Sequence, residues 1–251
     1  MKVVYDNRYL TVYSSDPASA PGRIESIYKE LQDDFEFVEP KPAKEEDILL
    51  VHSQHHVDLV KAHSQVYETA LLAAGGAIKA SEIAMQNEPA FGLIRPPGHH
   101  ASRDSSWGFC YFNNIAIAIQ KLHIQTKIKK ALIIDIDLHY GDGTANIFAS
   151  SPNITYFHPE GTSRQAYIDH LSKYLQSYKE SFDTLAISAG FDRHEQDWGG
   201  LLTTQDYQTI GTLAKEAADN KCNNKIFAVL EGGYNHTVLG KNVKAILKGM
   251  T

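Results

Sequence analysis

The side chains able to do chemistry are gathered in four short polar clusters, each placed directly after an apolar run. These are Arg95-Pro96-Pro97-Gly98-His99-His100, the segment from Asp135 to Asp142, Ser188-Ala189-Gly190-Phe191-Asp192 and Glu231-Gly232-Gly233-Tyr234. Asp137 and His139 stand two positions apart. In extended chain such side chains point the same way, so one carboxylate oxygen and one imidazole nitrogen can reach a common ion. With Asp192 as a third ligand they make a two-carboxylate, one-histidine set, which suits a borderline divalent cation and leaves a position open for water. Asp135 points to the same side from one step deeper, where it can orient a histidine or hold a second cation. The plainer reading is that Asp135, Asp137 and Asp142 brace a glycine-rich turn. Aspartates rarely end so apolar a strand without a charged partner, however.

His99 and His100 add two imidazoles, which titrate in the range needed to deprotonate a water or protonate a leaving amine. Asp135 and Asp142 are the carboxylates available to fix their tautomers. Tyr234 follows two glycines that allow a tight turn, and from there its phenol can hydrogen-bond a developing oxyanion. One tyrosine among thirteen is usually packing; the position after a strand end is what sets this one apart. Trp107, Phe109, Tyr111 and Phe112 either line a channel or simply pack. Other patterns fail: Gly141-Asp142-Gly143-Thr144 lacks the lysine and glycine spacing of a phosphate loop. Ser188-Ala189-Gly190 has the wrong spacing for a nucleophile elbow. Cys110 reads as a small buried filler.

The elements that must position these clusters follow from the apolar pattern. The runs Phe91–Ile94, Ala131–Ile136, Ile154–Phe157, Thr184–Ser188 and Ile226–Leu230 lack polar alternation, as strands covered on both faces do. Helical patterns lie between them, near Asn114–His123, Thr144–Ala149, Gln165–Glu180 and Thr203–Ala218, with a last one near Val238–Leu247. The alternation predicts one three-layer α/β/α domain over residues 1–251 with a mostly parallel sheet. Ligands of such sheets bind at the carboxyl ends of the strands, where all four clusters fall. The first ninety residues are less regular: Val3–Tyr5 and Ile48–Val51 read as short strands, and Ile24–Leu31, His55–His63 and Val66–Met85 as helices. Gly75 and Gly76 interrupt the last of these, either for close packing or as a mild kink.

Thirty acidic against twenty-four basic residues give a net charge of −6, with no basic stripe, so dedicated nucleic-acid binding is not expected. No signal peptide or membrane span is visible. Two cysteines, Cys110 and Cys222, cannot form a disulfide framework and are expected as reduced thiols of a cytoplasmic protein. A monomer and a homodimer are both compatible with the sequence.

Read together, five stretches resemble the histone deacetylase superfamily, which includes bacterial deacetylase-like amidohydrolases and acetylpolyamine amidohydrolases. They are RPPGHHA at Arg95–Ala101, GFCYFNNIAIA at Gly108–Ala118, DIDLHYGDGT at Asp135–Thr144, SAGFD at Ser188–Asp192 and LEGGYN at Leu230–Asn235. The resemblance implies an arginase/deacetylase-like fold and a catalytic zinc, or ferrous iron, on Asp137, His139 and Asp192. It pairs His99 with Asp135 and His100 with Asp142, with His100 the leading general base and Tyr234 polarising the acyl carbonyl. Phe109 would wall a substrate channel beside Trp107, Gly108, Gly232 and Gly233. A structural potassium would use oxygens around Asp135, Asp137, His139, Tyr156 and Phe157. The implied activity is removal of acetyl or short acyl groups from acyl-lysine. Acetylpolyamines or another small acyl-amine are the alternative substrates; a two-metal ureohydrolase and a non-catalytic acyl-ligand-binding scaffold are more remote. The chain departs from the family pattern in three places. Tyr140 follows His139 where a second histidine is familiar, Asp16-Pro17-Ala18 stands for a His-Pro-Glu element, and the His158–Gln165 segment is short, which predicts a shallow, open site.

Overall fold

A strand covered on both faces has no place for a polar side chain on either, and the chain's most apolar runs accordingly become the middle of one sheet. In the computed structural model, which describes residues 1–251, seven strands are formed. They are β1 (Lys2–Val4), β2 (Glu36–Val38), β3 (Ala90–Gly92), β4 (Ala131–Asp135), β5 (Ile154–Phe157), β6 (Thr184–Ala189) and β7 (Ile226–Leu230). All pair in parallel, in the order β2-β1-β3-β7-β6-β4-β5. Every residue of β4, β6 and β7 is buried.

That order has a direct functional consequence. The four adjacent strands β3, β7, β6 and β4 are the ones whose carboxyl ends run into the four polar clusters. Their registers keep the ends nearly level: Asp135 lies opposite Ser188, and Ala189 opposite Leu230. Residues more than a hundred positions apart are thereby delivered to one rim.

Helices cover both faces. On one side α1 (Arg23–Leu31), α9 (His236–Gly249), α8 (Thr204–Cys222) and α7 (Arg164–Ser177) pack in succession. On the other α4 (Ser64–Ala84) lies against α5 (Asn114–Ile124) and against β1, β3 and β7. The shorter α2 (Glu45–Ile48), α3 (Gln54–Lys61) and α6 (Asp142–Phe148) complete the domain. No helix is long and apolar enough to cross a membrane.

One local expectation is corrected, and one strand was not foreseen. Ile48–Val51 is not a strand: Asp47 accepts a hydrogen bond from the Lys44 amide (3.1 Å) and starts a helical turn, and the chain leaves α2 through a turn over Leu49–Val51. The edge strand β2, which the apolar pattern did not reveal, pairs Glu36, Phe37 and Val38 with Lys2, Val3 and Val4. Gly75 and Gly76 serve close packing. A Cβ on Gly75 would collide with the Lys41 carbonyl, and one on Gly76 would sit 2.6 Å from the Tyr9 hydroxyl. Gly75→Ala is therefore expected to destabilise the fold by about 1–3 kcal/mol through overpacking, outweighing alanine's helix-propensity advantage of ~1 kcal/mol. A urea midpoint at or above that of the parent chain would contradict this.

Candidate active site

As the chain leaves β4, Asp135 Oδ1 accepts from the Asp137 amide (3.1 Å) and Asp137 Oδ1 accepts from the His139 amide (2.9 Å). These short-range carboxylate turns re-aim the backbone without helix or strand partners. Neighbouring strand ends then tie in. Asp137 Oδ2 accepts from the Gly232 amide (2.8 Å) and Asp192 Oδ1 from the Leu138 amide (2.9 Å). Gly190 and Gly232 permit this approach, since a Cβ at either would strike the Asp137 carboxylate.

The result is a compact donor set. One ligand atom from each of Asp137, His139 and Asp192 lies within 4.8 Å of the others. His139 Nδ1 is 3.2 Å from Asp137 Oδ1 and 3.1 Å from Asp192 Oδ2. Asp192 Oδ2 is buried and makes no hydrogen bond. The Asp137 and Asp192 carboxylates beside it push His139 up to about 10, while burial and the Asp137 charge push Asp192 up to about 6. Both shifts report one condition, a water-poor cluster with an excess of negative charge. An orphaned carboxylate oxygen, a second carboxylate and an imidazole fit a divalent cation with a position open to solvent. The His139 side chain is 39% exposed while Asp137 and Asp192 are buried, so the donor set opens to solvent on the His139 side only.

Behind these ligands stand two histidine–carboxylate pairs. His99 Nδ1 lies 3.0 Å from Asp135 Oδ2, and His100 Nδ1 lies 2.6 Å from Asp142 Oδ1, in the first turn of α6. The rings are 4.0 Å apart between centroids. Both histidines are buried, yet they are driven in opposite directions. For His99 burial is outweighed by the Asp135 and Asp137 carboxylates, which raise it. For His100 burial and the charge of His99 prevail and lower it, leaving it neutral at pH 7. Glu231 holds the irregular backbone that presents both rings, accepting from the Gly98 (2.7 Å) and His99 (3.1 Å) amides.

Tyr234 is held from three sides. Arg23, completely buried, donates to the Gly233 carbonyl (2.8 Å) and the Glu231 carbonyl (2.5 Å). Asp197 Oδ2 accepts from the Tyr234 and Asn235 amides (both 2.8 Å). Trp198 stacks on the phenol ring at 4.1 Å, and Phe109 meets it edge-on at 6.0 Å. Gly108 and Phe109 have positive φ (59° and 65°). A left-handed phenylalanine is an uncommon backbone state of the kind that clusters at functional sites. Trp107 lies against His100 with ring centroids 3.8 Å apart and planes tilted by 32°, and its Nε1 donates to Asp142 Oδ2 (2.9 Å).

All eight residues expected to catalyse or bind the metal thus converge. Six residues from three of the clusters, together with Trp107, Gly108, Phe109 and Trp198, line a cavity of about 120 Å³. Among the expected channel residues, Gly232 lines the cavity and Gly233 does not; at φ 115° Gly233 turns the chain toward Tyr234. Around the expected potassium position, oxygens are already engaged. The Tyr156 hydroxyl donates to Asp135 Oδ2 (3.0 Å) and accepts from the Gly141 amide (2.8 Å). Phe157 is stacked on Tyr174 at 3.5 Å. Sequence reasoning did not find the positioning roles of Asp197 and Glu231, nor Trp198. Asp197 and Trp198 sit in a loop with no periodicity or motif to signal them.

A parallel α/β/α sheet whose strand ends carry an Asp/His/Asp donor set beside two histidine–aspartate pairs has the features of a metal-dependent hydrolase. A profile of the histone deacetylase domain matches residues 17–158 and 157–250, and the chain belongs to that family. It is 31% identical to a "Probable deacetylase" of Methanothermobacter thermautotrophicus, covering 85% of this chain and 78% of that protein. It is also 31% identical to an "Acetylpolyamine amidohydrolase" of Mycoplana ramosa, covering 73% and 63%. Among solved structures, the HD domain of HDA15 superposes with a TM-score of 0.85 at 23% identity, over 100% of this chain and 90% of that one.

Asp192→Ala removes the donor atom that has no other partner, so divalent metal retained after dialysis should fall to a small fraction of the parent level. Elemental analysis of folded protein is the check; full retention would remove Asp192 from the ligand set.

Proposed function

We propose that the protein is a zinc-dependent amidohydrolase that removes acetyl or other short acyl groups from the side-chain amine of acyl-lysine. The observation that carries this reading is the pair of His–Asp dyads, whose Nδ1 edges are bound to carboxylates while the two histidines line the same cavity as His139 and Tyr234. A zinc ion held by Asp137, His139 and Asp192 would act as Lewis acid, lowering the pKa of a water and polarising the acyl oxygen.

The chain's own groups divide the remaining work. His100, neutral and fixed by Asp142, takes a proton from the attacking water at Nε2. Tyr234 donates its phenolic proton in a hydrogen bond to the acyl oxygen as negative charge develops there. The protonated imidazole of His100, or that of His99, then gives a proton to the departing nitrogen, releasing carboxylate and amine. Trp107 covers one face of His100 and holds Asp142, which limits water at the dyad. The small cavity, about 120 Å³, favours a short acyl group on an extended amine chain. Cys110 and Cys222, both free and buried, suit the reducing cytoplasm as the site of action.

A second substrate class is favoured by one feature. The exposed indoles of Trp107 and Trp198 line the cavity, where their π faces attract the second ammonium of an acylated polyamine, and the Mycoplana relative bears that activity in its name. Measuring kcat/KM for an acetyl-lysine peptide and for acetylputrescine on one zinc-loaded preparation separates the two. The first reading predicts a peptide preference of ~100-fold, about 2.7 kcal/mol of transition-state binding; the reverse order selects the polyamine reading. Tyr234→Phe should lower kcat by ~10²–10³ with zinc content unchanged, and near-parental turnover would remove the oxyanion role from Tyr234.

A further inference from the structure

The loop that carries both Asp137 and His139 has a cation against it that belongs to the chain itself. Arg193, directly after the ligand Asp192, is 8% exposed. Its Nη2 donates to the Asp137 carbonyl and to the Leu138 carbonyl, both at 2.9 Å, and lies 3.1 Å from His158 Nε2. Its Cζ stands 4.9 Å from the centre of the Tyr167 ring, and its Nε is buried without a hydrogen-bond partner. No carboxylate forms an ion pair with it. A guanidinium held this way is unusual: burial of a charge is tolerated where dipoles or opposite charges repay its lost hydration. Here the repayment comes from two backbone carbonyls, an aromatic face and the negative field of the nearby aspartates.

The Asp137 carbonyl lies among the oxygens around Asp135, Asp137, His139, Tyr156 and Phe157 where the family resemblance places a structural potassium. Two further groups of that set are engaged as well. Asp135 accepts from the Asp137 amide and the Tyr156 hydroxyl and is bound to His99, and the Tyr156 oxygen accepts from Gly141. Tyr140 closes over both Tyr156 and His158, edge-on at 5.4 and 5.7 Å. A monovalent ion added here would lose these oxygens to existing donors and meet the guanidinium's positive charge in a water-poor setting.

We infer that Arg193 is a built-in replacement for the monovalent cation, a positioning residue that holds the Asp137–His139 ligand loop so that this chain keeps its divalent metal without potassium. Because Arg193 follows Asp192, one residue pair joins all three ligands: Asp192 Oδ1 binds the Leu138 amide and Arg193 binds the carbonyls on either side of it.

The inference is independent of the substrate and is tested without turnover. Crystals of the wild-type protein soaked in thallous acetate should show no anomalous peak at the Asp137 and Leu138 carbonyls; a peak there overturns the proposal. Zinc-loaded wild-type protein should release zinc to a chelator at the same rate in potassium chloride and in choline chloride. Arg193→Ala should release it at least tenfold faster in choline chloride, and added potassium or guanidinium ions, or the variant Arg193→Lys, should restore retention. Arg193→Ala protein that holds zinc as the wild type does in choline chloride would equally overturn it. Should that variant not fold, the thallium map and the wild-type release rates decide alone.

Discussion

Four carboxylates, Asp135, Asp137, Asp192 and Glu231, are packed out of water at one edge of a single sheet, none more than 1% exposed. Buried charge of one sign is sustainable only when hydrogen bonds, counter-charges or a metal answer it. Most of the surrounding architecture does so. Asp135 is met by His99, Tyr156 and a backbone amide; Asp137 by the Gly232 and His139 amides; Glu231 by the amides of Gly98 and His99. Asp192 is answered on one oxygen only. Buried Asp192 Oδ2 and Glu231 Oε1 are both left without partners, so the site is recognisable by unmet demands as well as by its residue types.

The same constraint explains why two neighbouring histidines differ. His99 sits where the carboxylate field is strongest and is driven toward its charged form, while His100 shares Asp142 with Trp107 and feels the charge of His99. A pair of identical side chains thus acquires unlike proton affinities from position alone, as division of labour between a base and an acid requires.

Much of this was legible in the sequence, for a definite reason. Strands β4 to β7 and the helices between them are long apolar or periodic segments, and the Asp137/His139 spacing translates directly into a shared direction in extended chain. The unreadable parts share the opposite property. β2 is three residues with a glutamate, held by pairing to β1 rather than by its own pattern. Ile48–Val51 looks like a strand by composition, but a carboxylate three residues after Lys44 turned it helical. Trp198, Asp197 and Arg193 lie in the loop after β6, where roles depend on which distant element is near. No local periodicity encodes that Arg193 will meet Leu138, or that Arg23 will reach Gly233.

The strand order carries a further consequence for how the molecule is made. β7 lies between β3 and β6, so until residues 226–230 leave the ribosome the sheet exists only as two separate halves. One comprises β1, β2 and β3, the other β4, β5 and β6, and each presents an unpaired apolar edge. Open edges of that kind invite pairing with other chains. Strand β7 is the keystone of this sheet, and the interval before its arrival leaves both halves with an open edge.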